Sequence, residues 1–136
     1  MSGLIIKAET QQLDQVLAYA DEILESIDCP MKVQMQIDIA IEEIFVNIAN
    51  YAYPDSEGNA EIIVTPDEDS QGVRIVFEDE GIPYDPLKNE DPDITLSADD
   101  RPIGGLGIFM VKKTMDDMVY EYRDGKNILT IRKNLA

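Results

Sequence analysis

A chain of 136 residues, 44% of them hydrophobic, is long enough for one domain that buries roughly 68% of the surface its unfolded form exposes, which argues against global disorder. Its net charge of −17 repels phosphate backbones and anionic bilayers, which makes nucleic acid and membrane poor partners and favours a basic protein surface. With one cysteine, Cys29, and no histidine there is no intrachain disulfide and no thiol–imidazole catalytic pair.

In chain order, residues 3–7 read as a first strand. Leu13, Val16, Leu17, Ala20, Leu24 and Ile27 follow the i, i+3, i+4 spacing of an amphipathic helix that ends before Pro30. A longer helix is predicted over residues 31–53, with Ile37, Ile41, Ile44 and Ile48 on one face and Pro54, Asp55 and Gly58 as its stop. Residues 60–65 and 73–78 read as strands joined by a polar turn. Residues 85–103 are rich in proline and aspartate without periodicity, the pattern of a lid or binding loop. A helix over 105–115 follows, then strands 118–123 and 128–132 joined by the hairpin signal Asp124-Gly125. The whole predicts a single α+β domain over 1–136, a two-layer sandwich with one mixed or mostly antiparallel sheet covered by three helices. No apolar run reaches the roughly 18 residues of a membrane span, and no basic-then-apolar signal opens the chain, so a cytoplasmic protein is expected.

Charge is uneven along this plan. Residues 66–100 carry twelve acidic side chains against Arg74 and Lys88, whereas from Arg101 onward seven basic residues face four acidic ones. A polyphosphate needs a local positive field, and only the last segment supplies one.

Three short motifs carry chemistry. In the long helix, Glu43, Asn47 and Asn50 fall within about 60° of one another, roughly 130° from the isoleucine stripe. An amide oxygen on that stripe is a hard ligand for Mg²⁺, and a carboxylate one turn away can polarise a hydroxyl as general base. Asp79-Glu80-Gly81 ends the apolar run 73–77. A carboxylate there can accept a hydrogen bond from an exocyclic amine such as adenine N6, while the glycine lets backbone approach a ligand. Gly104-Gly105-Leu106-Gly107 opens the third helix, where free N–H groups and the helix dipole favour phosphate. It is neither a Walker A loop nor a dinucleotide-binding fingerprint.

In this order the motifs resemble the Bergerat-type ATP-binding fold of gyrase, heat-shock chaperones and histidine kinases, and within it the small anti-sigma-factor serine/threonine kinases. The resemblance covers nearly the whole chain. It implies ATP and Mg²⁺ as cofactors, Glu43 as the general base that activates a substrate serine, and Asn47 as the Mg²⁺ ligand. By the same resemblance Asp79 is the adenine-binding aspartate, Gly81 gives the base room, and Gly104, Gly105, Leu106 and Gly107 close over the phosphates with Asn50 nearby. Residues 86–103 become the ATP lid. The implied partners are an anti-sigma-factor antagonist, phosphorylated on serine or threonine, and a sigma factor held inactive by a kinase homodimer.

The chain departs from the family pattern in places. Ile103 stands near the position of a basic residue that touches the γ-phosphate, and Arg101, two residues earlier, is the substitute. A Gly-Thr pair near the last strand is not evident in residues 125–130, which leaves Thr130 as the adenine-side candidate. Asn50 and Tyr51 stand where relatives are often basic or carry histidine. Two alternatives follow: a nucleotide-binding partner switch without phosphoryl transfer, or a histidine-kinase-like domain acting on a separate phosphoacceptor, since a chain without histidine cannot phosphorylate itself there.

Overall fold

The computed structural model describes residues 3–68, 71–88 and 105–135. Five strands and three helices appear in the order β1 (Leu4–Lys7), α1 (Leu13–Ser26), α2 (Met31–Tyr51), β2 (Asn59–Pro66), β3 (Gly72–Asp79), α3 (Gly105–Thr114), β4 (Asp117–Arg123) and β5 (Lys126–Asn134). The strands form one sheet in the order β1-β2-β3-β5-β4, and every described pairing is antiparallel, so the mixed option is set aside.

Alternation along the strands selects the core face. Ile62 and Val64 of β2, Ile75 and Phe77 of β3, and Leu129 and Ile131 of β5 are all buried. The helices lie against that face. α1 contributes Val16, Ala20 and Leu24, and α2 contributes Ile37, Ala40, Ile41, Ile44 and Phe45. Each Val, Leu, Ile or Phe among these removed from water is worth about 1.5–3 kcal/mol, which explains why the helix layer docks despite its charge.

Local stops are explicit. α1 ends in a Schellman motif: the Cys29 N–H bonds the Leu24 carbonyl at 3.0 Å, the Asp28 N–H bonds that of Glu25 at 3.2 Å, and Asp28 takes a φ of 55°. Cys29 packs beside the core there, a structural thiol whose pKa burial pushes up. Asp124 and Gly125, with φ of 56° and 77°, make the expected tight hairpin turn between β4 and β5.

Boundaries moved where tertiary contacts outweigh local signals. α2 stops at Tyr51 rather than residue 53: Ala52 closes the last turn on the Ile48 carbonyl at 3.0 Å, Pro54 has no N–H to extend the ladder, and the Ala52 carbonyl accepts instead from the Ile82 N–H at 2.9 Å. β5 is longer than expected at both ends, since Lys126 pairs with Arg123, Asn127 with Tyr122 and Asp79, and Lys133 and Asn134 with Val73 and Gly72. Two single-turn 3-10 helices, Thr10–Gln12 and Pro86–Lys88, carry no periodic signal. Of the expected lid, residues 89–103 lie outside the described residues.

Candidate functional site

Four elements converge at one end of the sandwich: the C-terminal half of α2, the end of β3, the start of α3 and the start of β5. Between them lies a mostly apolar cavity of about 40 Å³, room for a few waters. Ile44, Ile48, Phe77, Ile108 and Leu129 supply its apolar lining, and Asn47, Asp79 and Asn127 its polar groups. Tyr51 and Tyr84 also line it, with ring centroids 6.4 Å apart and planes tilted by 32°.

Asp79 is the last residue of β3 and is 6% exposed. Its Oδ1 accepts from the Gly81 N–H at 2.9 Å and from the Asn127 side-chain amide at 2.9 Å. Burial pushes its carboxyl up from the ordinary value, and these two donors pull the other way. Gly81 is where backbones touch: a Cβ placed there would lie 2.6 Å from the Ala52 Cβ, and the next residue bonds the Ala52 carbonyl.

Asn127 is the functional residue that sequence reasoning missed. Its amide donates to Asp79 and to the Ile82 carbonyl at 2.8 Å, and its oxygen accepts from the Tyr84 N–H at 3.1 Å and from the Tyr120 hydroxyl. One buried side chain thus joins the end of β3, the following turn and β4. A polar residue on the inward register of an otherwise apolar strand was the available signal. Thr130 does not reach the cavity. It stands in register between Val76 and Val119, on the sheet face opposite Leu129 and Ile131. Tyr53 was also unforeseen: its hydroxyl donates to the Asn59 carbonyl at 2.6 Å and accepts from the Glu80 N–H at 2.8 Å, fixing the turn beyond Asp79 from behind.

The three motifs do come together. Glu43, half-buried on α2, lays its carboxylate against the first turn of α3, so that a Cβ built on Gly107 would lie 2.7 Å from Glu43 Cδ. A helix N-terminus is where a negative group is favoured. Asn47, one turn further along α2, lines the cavity, while Asn50 is exposed and outside its lining. Gly105 begins α3 and Leu106 follows in its first turn. Arg101 and Gly104 lie outside the described residues. Among the described residues no group of three or more acidic, histidine or cysteine side chains could by itself hold a metal ion.

Comparison with known proteins bears on the family and the fold. The family described as the histidine kinase-like ATPase domain matches residues 6–133. The chain is 28% identical over 105 residues to the serine/threonine-protein kinase BtrW of Bordetella bronchiseptica, covering 77% of this chain and 73% of that one. It is 30% identical over 95 residues to the serine-protein kinase RsbW of Bacillus cereus, covering 67% of this chain and 58% of that one, so it spans little more than half the RsbW length. Among solved structures, the histidine kinase domain of the Erythrobacter litoralis EL346 blue-light activated histidine kinase superposes with a TM-score of 0.59 at 14% identity, over 93% of this chain and 60% of that one. The catalytic domain of histidine kinase ThkA gives 0.51 at 12% identity, over 99% and 98%. At such identities the two structures speak for the fold alone, an α+β sandwich as expected.

Proposed function

Because this chain belongs to the histidine kinase-like ATPase domain family, we propose that it binds ATP in the Asp79 cavity and transfers the terminal phosphoryl group to a serine or threonine of a partner protein. The observation that carries the reading is Asp79 itself. It is a buried carboxylate whose Oδ1 is occupied by Asn127 and Gly81, which leaves Oδ2 for the exocyclic amine of a base sandwiched by apolar side chains.

Asn47 offers one oxygen to Mg²⁺, which usually takes few protein ligands beside phosphate oxygens and water, in keeping with the absence of a larger acidic cluster among the described residues. When bound, the ion neutralises phosphate charge. The first turn of α3 presents N–H groups to the phosphates. Glu43 takes the proton of the attacking hydroxyl as its oxygen bonds to the γ-phosphorus and the bridge to ADP breaks. The kinase names of BtrW and RsbW support the serine/threonine transfer, and we propose further that the chain is a cytoplasmic, homodimeric anti-sigma-factor kinase that phosphorylates an antagonist and holds a sigma factor.

The cavity carries its own reporter, because the chain has six tyrosines and no tryptophan, and Tyr51, Tyr84 and Tyr120 line it. Titration with ATP followed by tyrosine emission is expected to show magnesium-dependent binding that weakens about tenfold or more in Asn47→Ala. Absence of any binding overturns the reading. Glu43→Gln is expected to retain ATP affinity while lowering transfer of labelled phosphate to a serine-bearing antagonist by about a hundredfold or more. Full transfer in that variant removes the base role from Glu43, and tight ATP binding without transfer in the unaltered protein favours a nucleotide-sensing switch.

A further inference from the structure

The first half of α2 turns an apolar row away from the core. Met31, Met35 and Ile39 are 78%, 59% and 53% exposed, whereas Ile37, Ala40, Ile41 and Ile44 are buried on the far side of the same helix. Residues recurring every fourth position form a contiguous row, about 12 Å long here, unlike the isolated apolar side chains any surface carries. Two of the three are methionines, whose flexible thioethers mould to an incoming surface.

The surroundings of this row have one sign of charge. α1 carries four carboxylates, the turn after it one and α2 three, with Lys32 the single basic residue from Leu13 to Tyr51. Among the described residues the ion pairs lie on the sheet and its turns, at Arg132–Asp67, Lys133–Asp116 and Arg123–Glu121, and none falls on α1 or α2. At the edge of the row facing α1, Asp38 abuts Asp21, and its Oδ1 is buried without a hydrogen-bond partner. The negative field over these helices is therefore left for something outside them to balance.

We propose that this row seats an amphipathic helix of a partner protein, with apolar side chains laid on Met31, Met35 and Ile39 and lysine or arginine on its flanks facing the carboxylates of α1 and α2. An apolar helix with acidic flanks would meet like charge on this face, and so would the same face of a second copy, whose α1 and α2 carry the same carboxylates. The surface lies apart from the chemistry, with Met35 about 18 Å from Asn47 along the α2 axis. The inference deepens the partner-holding half of the function proposed above and rests on it for the class of partner.

The test uses the full chain and a labelled model peptide of about five helical turns, leucine on one face and lysine on the flanks, read by fluorescence anisotropy at about 0.15 M salt, where exposed charges are screened beyond about 8 Å. Met35→Glu and Ile39→Glu each add negative charge, so attraction by net charge alone predicts equal or tighter binding. Seating on the row predicts binding weaker by about tenfold or more. Unchanged or tighter binding in both variants overturns the proposal. So does self-association of the unaltered chain, seen by sedimentation and abolished by Met35→Glu, because the row would then belong to a second copy. ATP titration of the same variants is expected to match the unaltered protein. Loss of peptide binding with ATP binding intact supports the docking surface, whereas absence of ATP binding in the unaltered chain strikes at the nucleotide site alone.

Discussion

At the scale of single residues, Asn127 ties more of the candidate site together than any residue of the three motifs. Asn127 spends both amide donors and both oxygen lone pairs on Asp79, Ile82, Tyr84 and Tyr120. It therefore helps to set the position of Asp79 Oδ2, with its own polar atoms all engaged within the protein. Asn127→Ala would strand several buried groups at about 1–3 kcal/mol each. The expected outcome is a clear fall in the urea unfolding midpoint together with ATP affinity reduced about tenfold or more. A variant that unfolds earlier yet keeps wild-type ATP affinity would show that Asp79 needs no help to face the cavity. Asp79 and Asn47 were singled out by the order of three motifs along the chain, each ambiguous alone, and both line the cavity, while Glu43 and Gly107 lie against each other beside it. Asn127 was not singled out. Its role is set by a contact across 48 positions in the chain, and a lone asparagine after a hairpin turn reads as turn chemistry.

At the scale of elements, the seam between α1 and α2 holds a carboxyl pair. Asp38 is pushed up from 3.8 to about 7, first by burial, then by its contact with Asp21 and by the charges of Asp21 and Glu25. Asp21 and Glu25 face it from α1, Cys29 from the intervening turn, and Gln34 holds Asp21 at 3.1 Å. A folded-state pKa above the unfolded one means that the native protein binds a proton which the unfolded chain has released between about pH 4 and pH 7. Stability from this group is complete at the acid end of that window, falls as pH rises through it and levels off above about 7. Buried Asp79 acts in the same direction. Urea midpoints are expected to be higher at pH 5 than at pH 8. Asp38→Asn is expected to flatten that difference and raise the pH 8 value, and an unaltered slope would place the titration elsewhere. The pair was invisible beforehand for the same reason that the outward row of α2 was: apolar residues surround this helix, and periodicity marks a stripe without saying which stripe is covered.

At the scale of the molecule, the resemblance reached further than the bottom-up reading, because the order of three motifs along a chain is linear information and their meeting in space is not. That Glu43 would rest on Gly107 follows only once α3 lies beside α2. The sheet order carries one more consequence. β5 follows β3 and β4 in the chain, yet it lies between them, and it brings Asn127 with it. As the chain leaves the ribosome, β3 keeps an open edge and β4 has no neighbour until residues 126–134 emerge, an exposed interval in which strand edges invite misassembly. The insertion that closes the sheet also completes the floor under Asp79. On the function proposed above, binding competence and a finished sheet would arrive in a single step, and a chain cut before residue 126 is expected to bind no ATP.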